Sequence, residues 1–331
     1  MTRQLPGLVL ALAAFKLASL LHLGAAWIPT LTACVVLGVV FTSLPWSPRV
    51  RDILQPGLAT SARRLLRIGI VLLGLKLSLV DIADLGWLVL GLIVLIVIAT
   101  FALTLGIGRL LRLPGDQPLL IAAGFSICGA SAIGAMSAVT RSKESEQATP
   151  IALVTLCGTL AIAVLPALQP VFGLDAEQFG MWTGASVHDV GQVVATAQIA
   201  GASALAIAIV VKLTRVALLA PMIAITGLVL KRERDGQRPA LVPLFLVGFT
   251  AAVLVRTVMG MPDAVLQAAD TAQLVLLGMA LFGLGAAIRV GTLLRTGARP
   301  LAVAAISWVA VAGLSLGAVV IATAAGVPAL H

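Results

Sequence analysis

Two short stretches hold the residues able to do chemistry: Phe125–Met136, FSICGASAIGAM, and Trp182–Gln192, WTGASVHDVGQ. Each contains Gly-Ala-Ser, as Gly129-Ala130-Ser131 and Gly184-Ala185-Ser186. Ser126, Ser131, Thr183 and Ser186 supply hydroxyls, and glycine bares the backbone beside them. Such residues favour helix starts, where a side-chain oxygen or an incoming ligand satisfies free N–H groups. A helix start carries roughly half a positive charge, which suits an anion. Cys128, next to Gly129, reads as a small packing residue, because nothing near it in sequence would activate a thiol. His188-Asp189 with Gln192 is the one polar cluster of mixed type in an apolar setting. Histidine titrates near neutrality and Asp189 can carry a proton or hold Na⁺, so the cluster suits coupling or gating. It suits equally well the plain satisfaction of backbone groups at a helix break. Lys212 and Arg215, spaced i, i+3, share one face of the apolar run Ala202–Leu230. They would neutralise a bound anion, or else pair internally with Asp189 or another acid. A charge at membrane depth costs about 2.5–3.5 kcal/mol on insertion scales and is functional by default. Lys16 and Lys76 lie nearer span ends and read as snorkelling side chains.

The elements that must position these residues are membrane helices. The chain has 331 residues, 60% hydrophobic and 11% charged, with mean hydropathy +1.12. Soluble domains average about 25% charged residues. The composition predicts an all-α polytopic membrane protein, one integral membrane domain over 1–331, multi-pass in the lipid bilayer, and the two glycine-rich breaks within it point to a transporter of the cell inner membrane. The net charge of +9 follows from basic residues in short loops, as the positive-inside rule requires, and not from a nucleic-acid partner. Cys34, Cys128 and Cys157 lack metal-ligand spacing, so no metal site follows. No nucleotide loop, nucleophile elbow or His-Glu-x-x-His motif occurs, which argues against an enzyme and against a cofactor.

The apolar runs predict about nine full spans and two broken or re-entrant segments, about 9–11 membrane segments in all. The full spans are Leu5–Leu21, Trp27–Leu44, Ile68–Val80, Trp87–Leu111, Thr149–Phe172, Ala202–Leu230, Leu241–Met259, Gln273–Ile288 and Leu301–Ala325. A signal peptide cleaved near Gly24-Ala25-Ala26 competes for the first, but Lys16 interrupts the apolar core a signal needs. Arg49, Arg51, Arg63, Arg64 and Arg67 read as a basic loop before the third, and Asp81 and Asp84 follow it. The broken segments are Pro118–Thr140 and Phe179–Ala200. Two glycine-rich packing faces of the small-xxx-small kind are the plainer reading of both.

Loop charge tests these alternatives. Strict alternation puts Arg141 and Lys143 outside and the acidic Asp175/Glu177 loop inside, against the positive-inside rule. If each Gly-Ala-Ser segment returns to the side it came from, all the basic loops, including Lys231–Arg238 and Arg289, Arg295 and Arg299, fall inside. The two segments then enter from opposite faces. Leu72–Leu79 also echoes Leu281–Ile288, the faint mark of an inverted repeat.

The chain resembles the YeiH-type family, which carries the label of sulfate exporters. The resemblance rests on Arg67–Leu77 (RIGIVLLGLKL), Ile127–Ile133 (ICGASAI), Gly184–Val194 (GASVHDVGQVV), Lys212–Pro221 (KLTRVALLAP) and Gly283-Leu-Gly285. It implies a fold similar to the bile-acid symporters and sodium/proton antiporters, with inverted repeats and broken helices that cross at the substrate site. It implies export of a small anion, sulfate or a related sulfur oxyanion or sulfonate, and the His188-Asp189 cluster would couple that export to H⁺ or Na⁺. Substrate contacts would come from Ser126, Cys128, Gly129, Ala130, Ser131, Thr183, Gly184, Ser186, Lys212 and Arg215, and coupling from His188, Asp189 and Gln192. Two other readings stay open: a cation/proton antiporter with Asp189 at its centre, and a non-transporting membrane sensor or scaffold. A homo-oligomer is compatible with all three.

Overall fold

The computed structural model describes residues 2–24, 30–76, 86–142, 144–230, 244–259, 261–287 and 297–326. In chain order the helices are α1 (Leu5–Gly24), α2 (Thr30–Ser43), α3 (Pro48–Thr60), α4 (Leu66–Leu73), α5 (Gly86–Leu110), α6 (Gln117–Ser126), α7 (Ala130–Thr140) and α8 (Glu144–Leu168). They continue as α9 (Ala176–Ser186), α10 (Val190–Ala197), α11 (Ala202–Ala217), α12 (Leu219–Leu230), α13 (Leu244–Val258), α14 (Asp263–Ala286) and α15 (Ala298–Ala324). Among the described residues six helices are long and apolar enough to cross a membrane, and shorter apolar helices accompany them. Among the described residues the expected all-helical membrane protein is what the chain forms. Asp81, Asp84, Trp27, Lys143, Lys231–Arg238, Arg289 and Arg295 lie outside the described residues, as do Ala25-Ala26 and the side chain of Lys76.

Two expected boundaries shift. The arginines at 49–67 do not form a loop. Ser47 caps a helix that starts with Pro48 at its first position, and the helix runs on through a π turn at Ser61–Leu65 into α4. The hydroxyl of Ser61 donates to Met279 O across the bundle at 2.7 Å. α14 starts at Asp263, after Pro262, and not at Gln273, so Asp263 and Asp270 ride on a helix.

The chain divides into two compact units, Met1–Ile82 with Leu244–Arg289, and Ala83–Pro243 with Val290–His331. In the first, α14 is the hub on which α1, α2, α3 and α4 pack. Small residues let these backbones approach: a methyl group on Gly38 would run into α14 at Gly285, and one on Gly57 into α1 at Gly7.

In the second unit both Gly-Ala-Ser segments are re-entrant hairpins. Ser142, just past α7, donates to Asp116, just before α6, at 2.8 Å, so the first segment leaves where it entered. The second follows from packing on α11. Gly180 faces Ala204 and Gly184 faces Ala208, so α9 and α11 run parallel. The chain must then come back along α10 before Gly201 starts α11. The broken helices therefore return and do not cross as the family resemblance implied. The long helix α8 orients them. Gly115, at the mouth of the first hairpin, faces Glu146 at its start. The second hairpin begins after the turn at Gln169–Leu174 that closes its end. The hairpins thus enter from opposite ends of α8, as loop charge requires.

Candidate functional site

The site is where the two hairpin tips meet, beside the middle of α8. Tip one is Ser126–Gly129 and tip two is Ser186–Asp189. A methyl group on Gly129 would sit 3.2 Å from Val154 of α8 and 3.9 Å from Asp189. Gly129 has φ 68° and ψ −129°, a conformation that reverses the chain and that other residues adopt only under strain.

Each tip brings together one helix end of each sign. The C-termini of α6 and α9 leave carbonyls without helical partners, and the N-termini of α7 and α10 leave N–H groups. Lys212 and Arg215, both fully buried on α11, take up the carbonyls. Lys212 Nζ donates to Ile127 O of one tip and to Val187 O of the other, the latter at 2.8 Å. Arg215 donates to Phe125 O at 3.2 Å and Ser126 O at 2.7 Å, and across the gap to Ala185 O at 2.5 Å. Longer contacts reach Gly184 O and Val187 O, both at 3.4 Å. The two cations therefore clasp the hairpins together. These hydrogen bonds go to carbonyl oxygens, and Lys212 also interacts electrostatically with Asp189.

The two Gly-Ala-Ser triplets occupy unlike places. Gly129-Ala130-Ser131 opens α7, as expected of a helix start. Gly184-Ala185-Ser186 closes α9 instead. Gly180 and Gly184 form the small-xxx-small face against Ala204 and Ala208, so the plainer packing reading describes this copy. The N-terminus in the second hairpin is that of α10, capped by Asp189. Its carboxylate accepts from Gly191 N at 2.8 Å, and Gln192 Oε1 accepts from Asp189 N at 3.2 Å to complete a capping box. Gln192 also donates to Thr155 O on α8 at 3.2 Å. Asp189 and Gln192 thus satisfy backbone groups at the break.

The start of α7 is different. Gly129 offers no capping side chain, and Ala130 and Ser131 are exposed. The hydroxyls of Ser126 and Ser186 turn back to Ala123 O and Trp182 O in their own helices. Thr183 is buried with its hydroxyl unmatched, and Cys128 is almost fully buried. The ring of His188, fully buried, lies 4.3 Å from that of Phe125, and neither ring nitrogen makes a hydrogen bond of ordinary geometry. Sequence reasoning missed the carbonyls of residues 125–127 and of Gly184, Ala185 and Val187 as the partners of Lys212 and Arg215. Counting the helix ends that two breaks create would have pointed to them. Among the described residues no group of three His, Cys, Asp or Glu side chains could hold a metal ion.

Comparison with known proteins places this architecture. A family model described as Conserved hypothetical protein 698 matches residues 6–304. A UPF0324 membrane protein of Corynebacterium glutamicum is 42% identical over 299 residues, 89% of this chain and 86% of the relative. A UPF0324 membrane protein of Agrobacterium fabrum is 33% identical, covering 91% and 87%, and one of Pseudomonas aeruginosa is 34% identical, covering 94% and 93%. No solved structure matches the chain. With a model spanning most of its length and relatives aligned nearly end to end, the chain belongs to the conserved hypothetical protein 698 family of UPF0324 membrane proteins.

Proposed function

We propose that this protein is a secondary carrier of a small anion, a sulfur oxyanion such as sulfate or a short sulfonate, in the cell inner membrane, and not an enzyme. One observation carries the reading: a helix start exposed at Ala130 and Ser131, with no capping side chain on Gly129, adjoins two buried cations. The charge balance at the tips supports it. Two whole positive charges face two helix C-termini worth about half a negative charge each, which leaves about one positive charge over. The N-termini of α7 and α10 add about one more, and the carboxylate of Asp189 offsets about as much. A net surplus of about one positive charge remains at a polar tip inside an apolar unit.

The anion is then bound by the N–H groups of Ala130 and Ser131, in the first turn of α7, and by the Ser131 hydroxyl. Lys212 and Arg215 act on it through their field, since two of the three N–H groups of Lys212 and the fork of Arg215 are engaged by carbonyls. His188 and Asp189, beside the anion end, carry the coupling or gating role.

Counterflow in proteoliposomes tests the proposal. Sulfate, sulfite or a short sulfonate trapped inside should drive uptake of labelled substrate, and Ser131→Ala should weaken competition about ten- to a hundredfold, the worth of one hydrogen bond to a charged group. No competition by any of the three anions would remove the sulfur-anion assignment. An unchanged Ser131→Ala would move the site away from the start of α7.

A further inference from the structure

The carbonyls at the hairpin tips raise a question that the anion leaves untouched. Carriers with broken membrane helices commonly hold a coupling Na⁺ on unwound carbonyls and half-helix C-termini. Here the carbonyls of Phe125, Ser126, Ile127, Gly184, Ala185 and Val187 converge from two such C-termini. Each accepts a hydrogen bond from a side chain of α11. Lys212 Nζ bridges the tips, with one carbonyl from each hairpin. Arg215 gathers the rest with its planar fork of donors. Both are fully buried. An ammonium and a sodium ion make the same demand of such a place, a single positive charge surrounded by oxygen.

We infer that Lys212 and Arg215 are tethered cations standing where a coupling Na⁺ would otherwise bind, so that this protein works without Na⁺. The inference rests on the carrier reading only for the word coupling. The occupancy of the carbonyl site is a property of the fold and can be tested without any transported anion. It also turns a remaining choice. With the carbonyls filled, an ion gradient that drives the carrier acts elsewhere in the tips, where His188 and Asp189 stand.

The test is thermal unfolding of the purified full-length protein in detergent, in NaCl, KCl, LiCl or choline chloride of equal ionic strength. The wild type should give one Tm in all four salts. Lys212→Ala empties the bridge between Ile127 O and Val187 O. It should unfold several degrees lower and recover part of that loss, saturably, in Na⁺ or in ethylammonium but not in choline. A saturable rise of the wild-type Tm that is specific to Na⁺ overturns the inference. So does a Lys212→Ala protein that neither Na⁺ nor ethylammonium restores. If that variant does not accumulate, the wild-type salt series decides alone. Should counterflow fail for every sulfur anion, these Tm outcomes keep their meaning, so the failure of one reading is separable from that of the other.

Discussion

Gly129 and Gly184 hold the same place in a Gly-Ala-Ser triplet, yet a side chain would fail at them for different reasons. At Gly129 a methyl group would press on the side chain of Val154 at 3.2 Å, a contact that side chain can ease, but the backbone at φ 68° favours glycine. Gly129→Ala should therefore cost about 1–3 kcal/mol in conformational strain. At Gly184 the backbone is helical and the space is missing. A methyl group would lie 3.0 Å from the Cα of Ala208 and closer still to its carbonyl oxygen. Gly184→Val should cost at least the 1–3 kcal/mol or so typical of overpacking, because a helix backbone cannot step aside as a side-chain tip can. Gly106 on α5 meets nothing within 4 Å, and Gly106→Ala should be neutral or gain up to about 1 kcal/mol. Tm values of the three variants check this order. A Gly184→Val protein as stable as wild type would mean that α9 and α11 do not touch as described.

The re-entrant hairpin is the element on which the topology depends. Arg112 and Ser142 flank the mouth of the first hairpin, and Val171 lies in the turn before the second. Cysteines introduced singly at these positions should react with a membrane-impermeant maleimide from one face for Arg112→Cys and Ser142→Cys and from the other for Val171→Cys. The three native cysteines are buried and should stay silent. Labelling of Ser142→Cys and Val171→Cys from a single face would exclude opposed hairpins. Much of this was legible beforehand. Arg141 and Lys143 against Asp175 and Glu177 called for two segments that turn back, because charge placement in loops obeys one simple rule. Less legible was which end of a half-helix each triplet would occupy. Small hydroxylated residues serve a helix start and a tight helix contact equally well, and only the neighbours of Gly184 on α11 separate the two uses. The role of Lys212 and Arg215 was hidden for a related reason. Their partners are backbone carbonyls, which leave no trace in residue types. The start of α3 could have been read, since Ser47-Pro48 is a capping residue followed by a first-turn proline.

At the scale of the whole molecule, the first unit is assembled from two distant pieces of chain, with α1–α4 from one and its hub α14 from the other. Met1–Pro243 expressed alone should then be degraded through α1–α4, and co-expression with Leu244–His331 should restore protease resistance. Equal lifetimes with and without the second piece would show that α1–α4 hold together unaided. The division also sets a clock on biogenesis. After α4 has emerged, roughly 160 more residues precede the return to this unit, about 8–30 s at ordinary elongation rates. Throughout that wait Gly38, Gly69 and Ser61 lack the helix that will cover them. A newborn chain thus passes through a stage in which its small-residue grooves are open to any passing helix until α14 arrives.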